Sequence, residues 1–129
     1  MKNNPKRIAM WSGPRNISTA LMRSFENRSD TAVLDEPFYA YFLNETGIQH
    51  PIYKQVIQTY ETSWKNISNT LTGPIPNGKS IWYQKLMTHH WVKNAPLDWL
   101  EKIHNCFLIR NPKQVIISYL KIHNDITPE

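Results

Sequence analysis

Cysteine is almost missing from this chain. Cys106 stands alone among 129 residues, which excludes an internal disulfide. Its neighbours Phe107, Leu108 and Ile109 predict a buried structural thiol. Glycine is scarce at four, and Gly13, Gly73 and Gly78 lie where loops are expected. No apolar run reaches the roughly 18 residues of a membrane-spanning helix. Met1–Arg7 has no apolar stretch behind it, so no signal peptide is expected and a cytoplasmic location is. Lys and Arg never gather into a run of about five, which speaks against nucleic-acid and membrane partners. His104, Cys106 and the His89-His90 pair lack the spacing of a zinc site, so no metal is expected.

What the chain does contain is aromatic weight and positive charge. Five Trp, six Tyr and four Phe predict a core built on large rings. The net charge of +5 favours anionic ligands. A length of 129 residues suits one domain spanning 1–129.

Along the chain, short apolar runs alternate with helical patterns. Residues 7–12, 31–34, 80–87 and 105–110 read as strands. Residues 18–28, 51–69, 96–103 and 112–123 read as helices, the second from Val56, Tyr60, Trp64 and Ile67 near the helical period. Apolar residues nearly encircle the last helix, which predicts that it is largely buried. The alternation argues for an α/β fold, a parallel sheet flanked by helices. Ligands in such sheets sit beyond the C-terminal strand ends. Gly13–Arg15, Glu36, His89-His90 and Arg110 all fall at those ends.

Two of these places suit an anion. In Trp11-Ser-Gly-Pro-Arg-Asn-Ile-Ser-Thr19 a strand runs through a tight loop into a helix. The unpaired amides of a first helical turn and the helix dipole favour negative charge there. Arg15 adds a planar cation and Ser18 and Thr19 add hydroxyls, although Ser18 would serve equally as a helix cap. In Arg110-Asn-Pro-Lys-Gln-Val115 an arginine leaves a strand at the mouth of a helix opened by Pro112, with Ser118 nearly two turns on. Arg110 would serve equally as an ion-pair partner of Asp35 or Glu36. Gly73-Pro-Ile-Pro-Asn-Gly-Lys-Ser80 formally matches the G-x-x-x-x-G-K-[ST] phosphate loop. Pro74 and Pro76 lack the amides such a loop needs, so a connecting turn is the better reading.

Together the two motifs resemble the sulfotransferases that use 3′-phosphoadenosine 5′-phosphosulfate (PAPS). Pro14-Arg-Asn-Ile-Ser-Thr19 is similar to that family's phosphosulfate motif, with Asn16 in place of the usual Ser and Ile17 in place of the usual Gly. Arg110–Val115 with Ser118 is similar to its 3′-phosphate motif, with Gln114 replacing an acidic residue. Asp35-Glu-Pro37 and Met87-Thr-His-His90 resemble segments of a sulfotransferase-like group. The resemblance implies part of a P-loop NTPase-like sulfotransferase fold, its N-terminal portion, since family members are typically longer. It implies PAPS as co-substrate, held by Arg15, Asn16, Ile17, Ser18 and Thr19 at one end and by Arg110 and Ser118 at the other. Arg15 would stabilise the leaving oxygen, and Glu36, His89 or His90 would take the acceptor's proton.

The acceptor expected is a small molecule with a hydroxyl group. Trp11, Phe38, Tyr39, Tyr41 and Trp91 would suit an aromatic or sugar acceptor, or simply pack the core. An apolar sheet face left open would drive self-association into a homo-oligomer. Two other functions stay open at this point: a non-catalytic nucleotide or anion-binding module of the same fold, and a P-loop kinase or NTPase built on Gly73–Ser80.

Overall fold

A computed structural model of the chain describes residues 4–122. Four strands, β1 (Lys6–Ser12), β2 (Thr31–Asp35), β3 (Ile81–Met87) and β4 (His104–Leu108), form one sheet. The order across it is β2-β3-β1-β4, and every pairing is parallel. Among the described residues five α-helices accompany them: α1 (Ser18–Glu26), α2 (Tyr39–Thr46), α3 (Tyr53–Thr59), α4 (Trp64–Leu71) and α5 (Pro112–Ile122). The sheet with flanking helices is the α/β fold expected from the alternation of patterns.

The register brings the strand ends into line. Ser12 pairs with Met87 on one side and Leu108 on the other, and Asp35 pairs with Lys85. The segments leaving all four strands therefore emerge along one edge. The chain turns toward β3 and β2 on one side of β1 and toward β4 on the other. The end of β1 is thus the switch point where parallel sheets open a crevice.

Large rings build the core. Phe38 stacks on Trp64 with ring centroids 4.0 Å apart, and Trp99 closes on both. Trp64 donates its indole N–H to the Pro96 carbonyl at 2.8 Å, so the buried ring leaves no polar atom unpaired. Under α1, Met22 is buried and Phe25 stacks on Tyr83 at 4.4 Å.

Several local expectations are corrected. Residues 51–69 hold two helices, α3 and α4, because Ser63 caps a new start by accepting from the Asn66 amide at 3.3 Å. Helix α2 has no counterpart among the expected elements. Its Tyr-Ala-Tyr-Phe start is poor in strong helix formers, and it is held by burial of Ala40, Tyr41, Phe42 and Leu43. It stops at Gly47, whose φ of 69° suits a residue without a Cβ. The 96–103 segment makes only a 3-10 turn at Asp98–Lys102. Strand β4 ends at Leu108, leaving Ile109 and Arg110 outside it.

Two burial expectations also fail. Cys106 is exposed because β4 is an edge strand of the described sheet. Helix α5 buries none of its residues, and Ile116, Ile117 and Ile122 are exposed. The expected end of that helix, His123, lies outside the described residues. Asn111 caps its start, accepting from the Lys113 amide at 2.9 Å. Among the described residues no helix is long and apolar enough to cross a membrane.

Candidate functional site

The loop after β1 is shaped by two unusual backbones. Arg15 and Ile17 both adopt left-handed φ, 58° and 53°. A β-branched residue there costs on the order of 1 kcal/mol, and such strain concentrates at functional loops. Ile17 thus keeps a backbone that glycine would take freely. Its side chain is exposed. Helix α1 then begins with no side-chain cap, so Ser18 is not spent on capping. The first bond of its N-terminal turn is Leu21 N–H to Ile17 carbonyl, 3.1 Å. The amides of Ser18, Thr19 and Ala20 precede it, where a helix has no internal acceptors for them.

Side chains distant in sequence close on this loop. Asn16, buried, donates its amide to the Leu108 carbonyl at 2.6 Å and ties the loop to the end of β4. Arg110 donates to the Arg15 carbonyl at 2.7 Å. Arg15 donates through Nε to the Ser118 hydroxyl of α5 at 3.0 Å. A cavity of about 200 Å³ results, lined by Arg15, Asn16, Ile17, Ser18, Thr19, Ala20 and Arg110. Two arginines and two hydroxyl-bearing residues belong to this lining, and among the described residues no Asp or Glu does. All seven residues expected to bind the nucleotide are therefore adjacent, Ser118 through its bond to Arg15.

The carboxylates lie on the other side of a buried lysine. Lys85, 5% exposed, donates to the Thr19 hydroxyl and to Asp35 Oδ1, both at 3.0 Å, and stands 3.5 Å from Glu36 Oε2. One ammonium thus joins the anion loop to the end of β2. Sequence reasoning missed Lys85. The available sign was a lone cation inside an aromatic, central strand, where both faces are buried and charges are rare. Lys85 also answers the ion-pair alternative for Arg110: Asp35 and Glu36 pair with Lys85, while Arg110 bonds the loop.

Glu36 sits in a strained turn with φ 47°, held by its amide on the Lys85 carbonyl at 3.0 Å. It lines a second cavity, about 480 Å³, between the end of β2 and helices α2, α3 and α4. His89 and His90 form a 3-10 turn after β3. His90 is buried against Phe42 and Tyr39, its Nε2 4.0 Å from Glu36 Oε1, beyond hydrogen-bond reach. Desolvation, then the neighbouring His89, Lys85 and His50, pushes its pKa down to about 3. His89 is exposed, and partial desolvation lowers its pKa as well. Neither histidine lines either cavity.

Gly73–Ser80 forms the connection from α4 to β3. A strand and not a helix follows it, and Lys79 donates to the Ser29 carbonyl at 2.5 Å. Among the described residues no group of three His, Cys, Asp or Glu is placed to hold a metal.

Comparison with known proteins adds an independent line. A family model described as a sulfotransferase domain matches residues 6–129. Branched-chain-amino-acid aminotransferase-like protein 1 of Arabidopsis thaliana is 35% identical over 120 residues, 92% of this chain and 21% of that protein. Branched-chain-amino-acid aminotransferase-like protein 2 of Arabidopsis thaliana is 35% identical over 117 residues, 90% of this chain and 21% of that protein. The chain therefore spans about a fifth of the length of these curated relatives. No solved structure matches it significantly.

Proposed function

The chain belongs to the sulfotransferase domain family, and from that premise we propose that it passes a sulfuryl group from PAPS to a small-molecule hydroxyl acceptor. The observation that carries this reading is the meeting of two motifs about a hundred residues apart. Arg15 and Arg110 share one cavity that no described carboxylate lines, and Arg15 reaches Ser118. Two cations, two hydroxyls and a helix start suit a ligand with separate anionic groups at its two ends.

PAPS supplies an activated sulfuryl group; the chain supplies charge, orientation and a base. Arg15 and the first-turn amides of α1 hold the negative charge that grows on the phosphate oxygen as its bond to sulfur breaks. Lys85 bridges the Thr19 hydroxyl of that loop and the carboxylate of Asp35. Glu36 accepts the proton of the acceptor hydroxyl as its oxygen bonds to sulfur, so the products are a sulfate ester and adenosine 3′,5′-bisphosphate. Glu36 is favoured over the histidines because it lines a cavity that can receive a second molecule. His90 is buried and a weak base.

Calorimetric titration with adenosine 3′,5′-bisphosphate, beside 5′-AMP and ATP, tests the donor half of this reading. Tight binding of the bisphosphate with much weaker binding of AMP is expected. Equal affinities would remove it, and a magnesium-dependent preference for ATP would return attention to Gly73–Ser80. Binding without turnover across alcohols and phenols would leave a non-catalytic anion-binding module. Arg110→Ala is expected to lower the preference for the 3′-phosphate about 10- to 100-fold, the size of one lost charge-assisted contact. Undiminished discrimination in the same titration would take Arg110 out of the site.

A further inference from the structure

The larger cavity differs in character from the anion loop beside it. Its walls include Val56, Ile67 and Leu71, and its volume of about 480 Å³ suits a small organic molecule. Three carboxylates line it, Asp35, Glu36 and Glu61, together with the rings of Tyr39 and Tyr60. Among the described residues no Lys, Arg or His lines it, in a chain whose net charge is +5. Lys85 reaches Asp35 and Glu36 from outside that lining, one positive charge against three negative. Glu61 is kept anionic by the Ser63 amide at 2.8 Å and the Asn66 side chain at 3.3 Å, which hold its carboxyl below its ordinary pKa. Tyr60, an exposed residue of the lining, adds an aromatic ring of the kind that attracts cations.

We propose that this cavity takes a hydroxyl acceptor that also carries an ammonium group, with Tyr60 and Glu61 selecting the cation. The inference rests on the sulfuryl-transfer reading for the acceptor's role; the charge preference of the cavity stands apart from it. The two cavities then sort their ligands by sign. The anionic donor goes to the arginine-lined loop and is repelled by the carboxylates. A cationic acceptor is drawn to the carboxylates, and its hydroxyl can be turned toward Glu36. An acceptor bearing its own carboxylate would meet uncompensated negative charge and bind poorly.

The test is an amide-resolved NMR titration of the full chain with three phenols of similar shape: tyramine, 4-ethylphenol and 4-hydroxyphenylacetate. Tyramine is expected to shift the amides of Val56, Ile67 and Leu71 and to bind at least about tenfold more tightly than the acid at low salt, with the gap narrowing as salt screens it. Glu61→Gln should shrink that gap. Equal affinities, an unaltered gap in Glu61→Gln, shifts elsewhere, or no binding of any of the three would each overturn the proposal. A parallel titration with adenosine 3′,5′-bisphosphate, read at Ser18, Thr19 and Ala20, keeps the two readings separable. Nucleotide binding without charge discrimination among the phenols defeats this inference alone. Charge discrimination without nucleotide binding upholds the cavity's preference and defeats the sulfuryl-transfer reading.

Discussion

Glu36→Gln is expected to lower kcat by about 10²- to 10⁴-fold, the usual contribution of a positioned general base. The substitution keeps the size of the side chain and leaves the backbone hydrogen bond from the residue 36 N–H to the Lys85 carbonyl in place. It also removes one of the two negative charges facing Lys85. Affinity for adenosine 3′,5′-bisphosphate should stay within about twofold, because Glu36 is absent from the lining of the arginine cavity. The measurement is a pair of turnover and titration curves for the two proteins. A kcat reduced less than about tenfold would move the base elsewhere, and exposed His89 is the next candidate. A nucleotide affinity that falls in parallel would mean that Glu36 acts by organising the loop through Lys85.

The second large effect is on acid stability. His90 is almost fully buried and stays neutral in the folded chain until the pH approaches 3. In the unfolded chain its imidazole takes up a proton near pH 6.5. Between those values the unfolded state binds more protons, so stability falls as the pH falls. The contribution is complete above the ordinary histidine range. The loss amounts to roughly 3 kcal/mol by pH 4, with His89 acting in the same direction. Urea unfolding at a series of pH values, for the parent chain and His90→Phe, measures it. The phenyl ring can still pack on Phe42 and Tyr39. The variant should show a shallower decline between pH 7 and 4. Parallel curves for the two proteins would mean that His90 is hydrated in solution.

These expectations draw on features of unequal legibility. The first strand, its loop and the helix behind it could be read from Ile8 to Phe25, because backbone propensity and apolar spacing are local. The pairing of that loop with Arg110 followed from strand alternation, since every strand of a parallel sheet presents its C-terminal end on one side. The dual use of Ser18 remained open in the sequence. A hydroxyl at a helix start can cap or bind, and only the geometry of Ile17 shows the cap position filled without it.

Burial was the least legible property. The apolar residues of α5 and the Cys106–Leu108 run look like core, yet they are largely exposed among the described residues. Hydrophobicity records a tendency, whereas burial requires a partner surface, and sheet order alone decides that β4 lies at an edge. Lys85 illustrates the converse. Its charge was visible in β3, but its meaning came from three residues delivered by other elements: Thr19 from α1, Asp35 from β2 and Glu36 from the turn after it. Local chemistry along the chain was enough to specify the four strands, the first and last helices, the candidate anion loops and the strand ends where they meet. The division of the site into a cationic cavity and an acidic one, joined by a buried ammonium, arose only from tertiary packing. Its cause is that Coulomb interactions depend on distances in space, which neither composition nor spacing in sequence encodes.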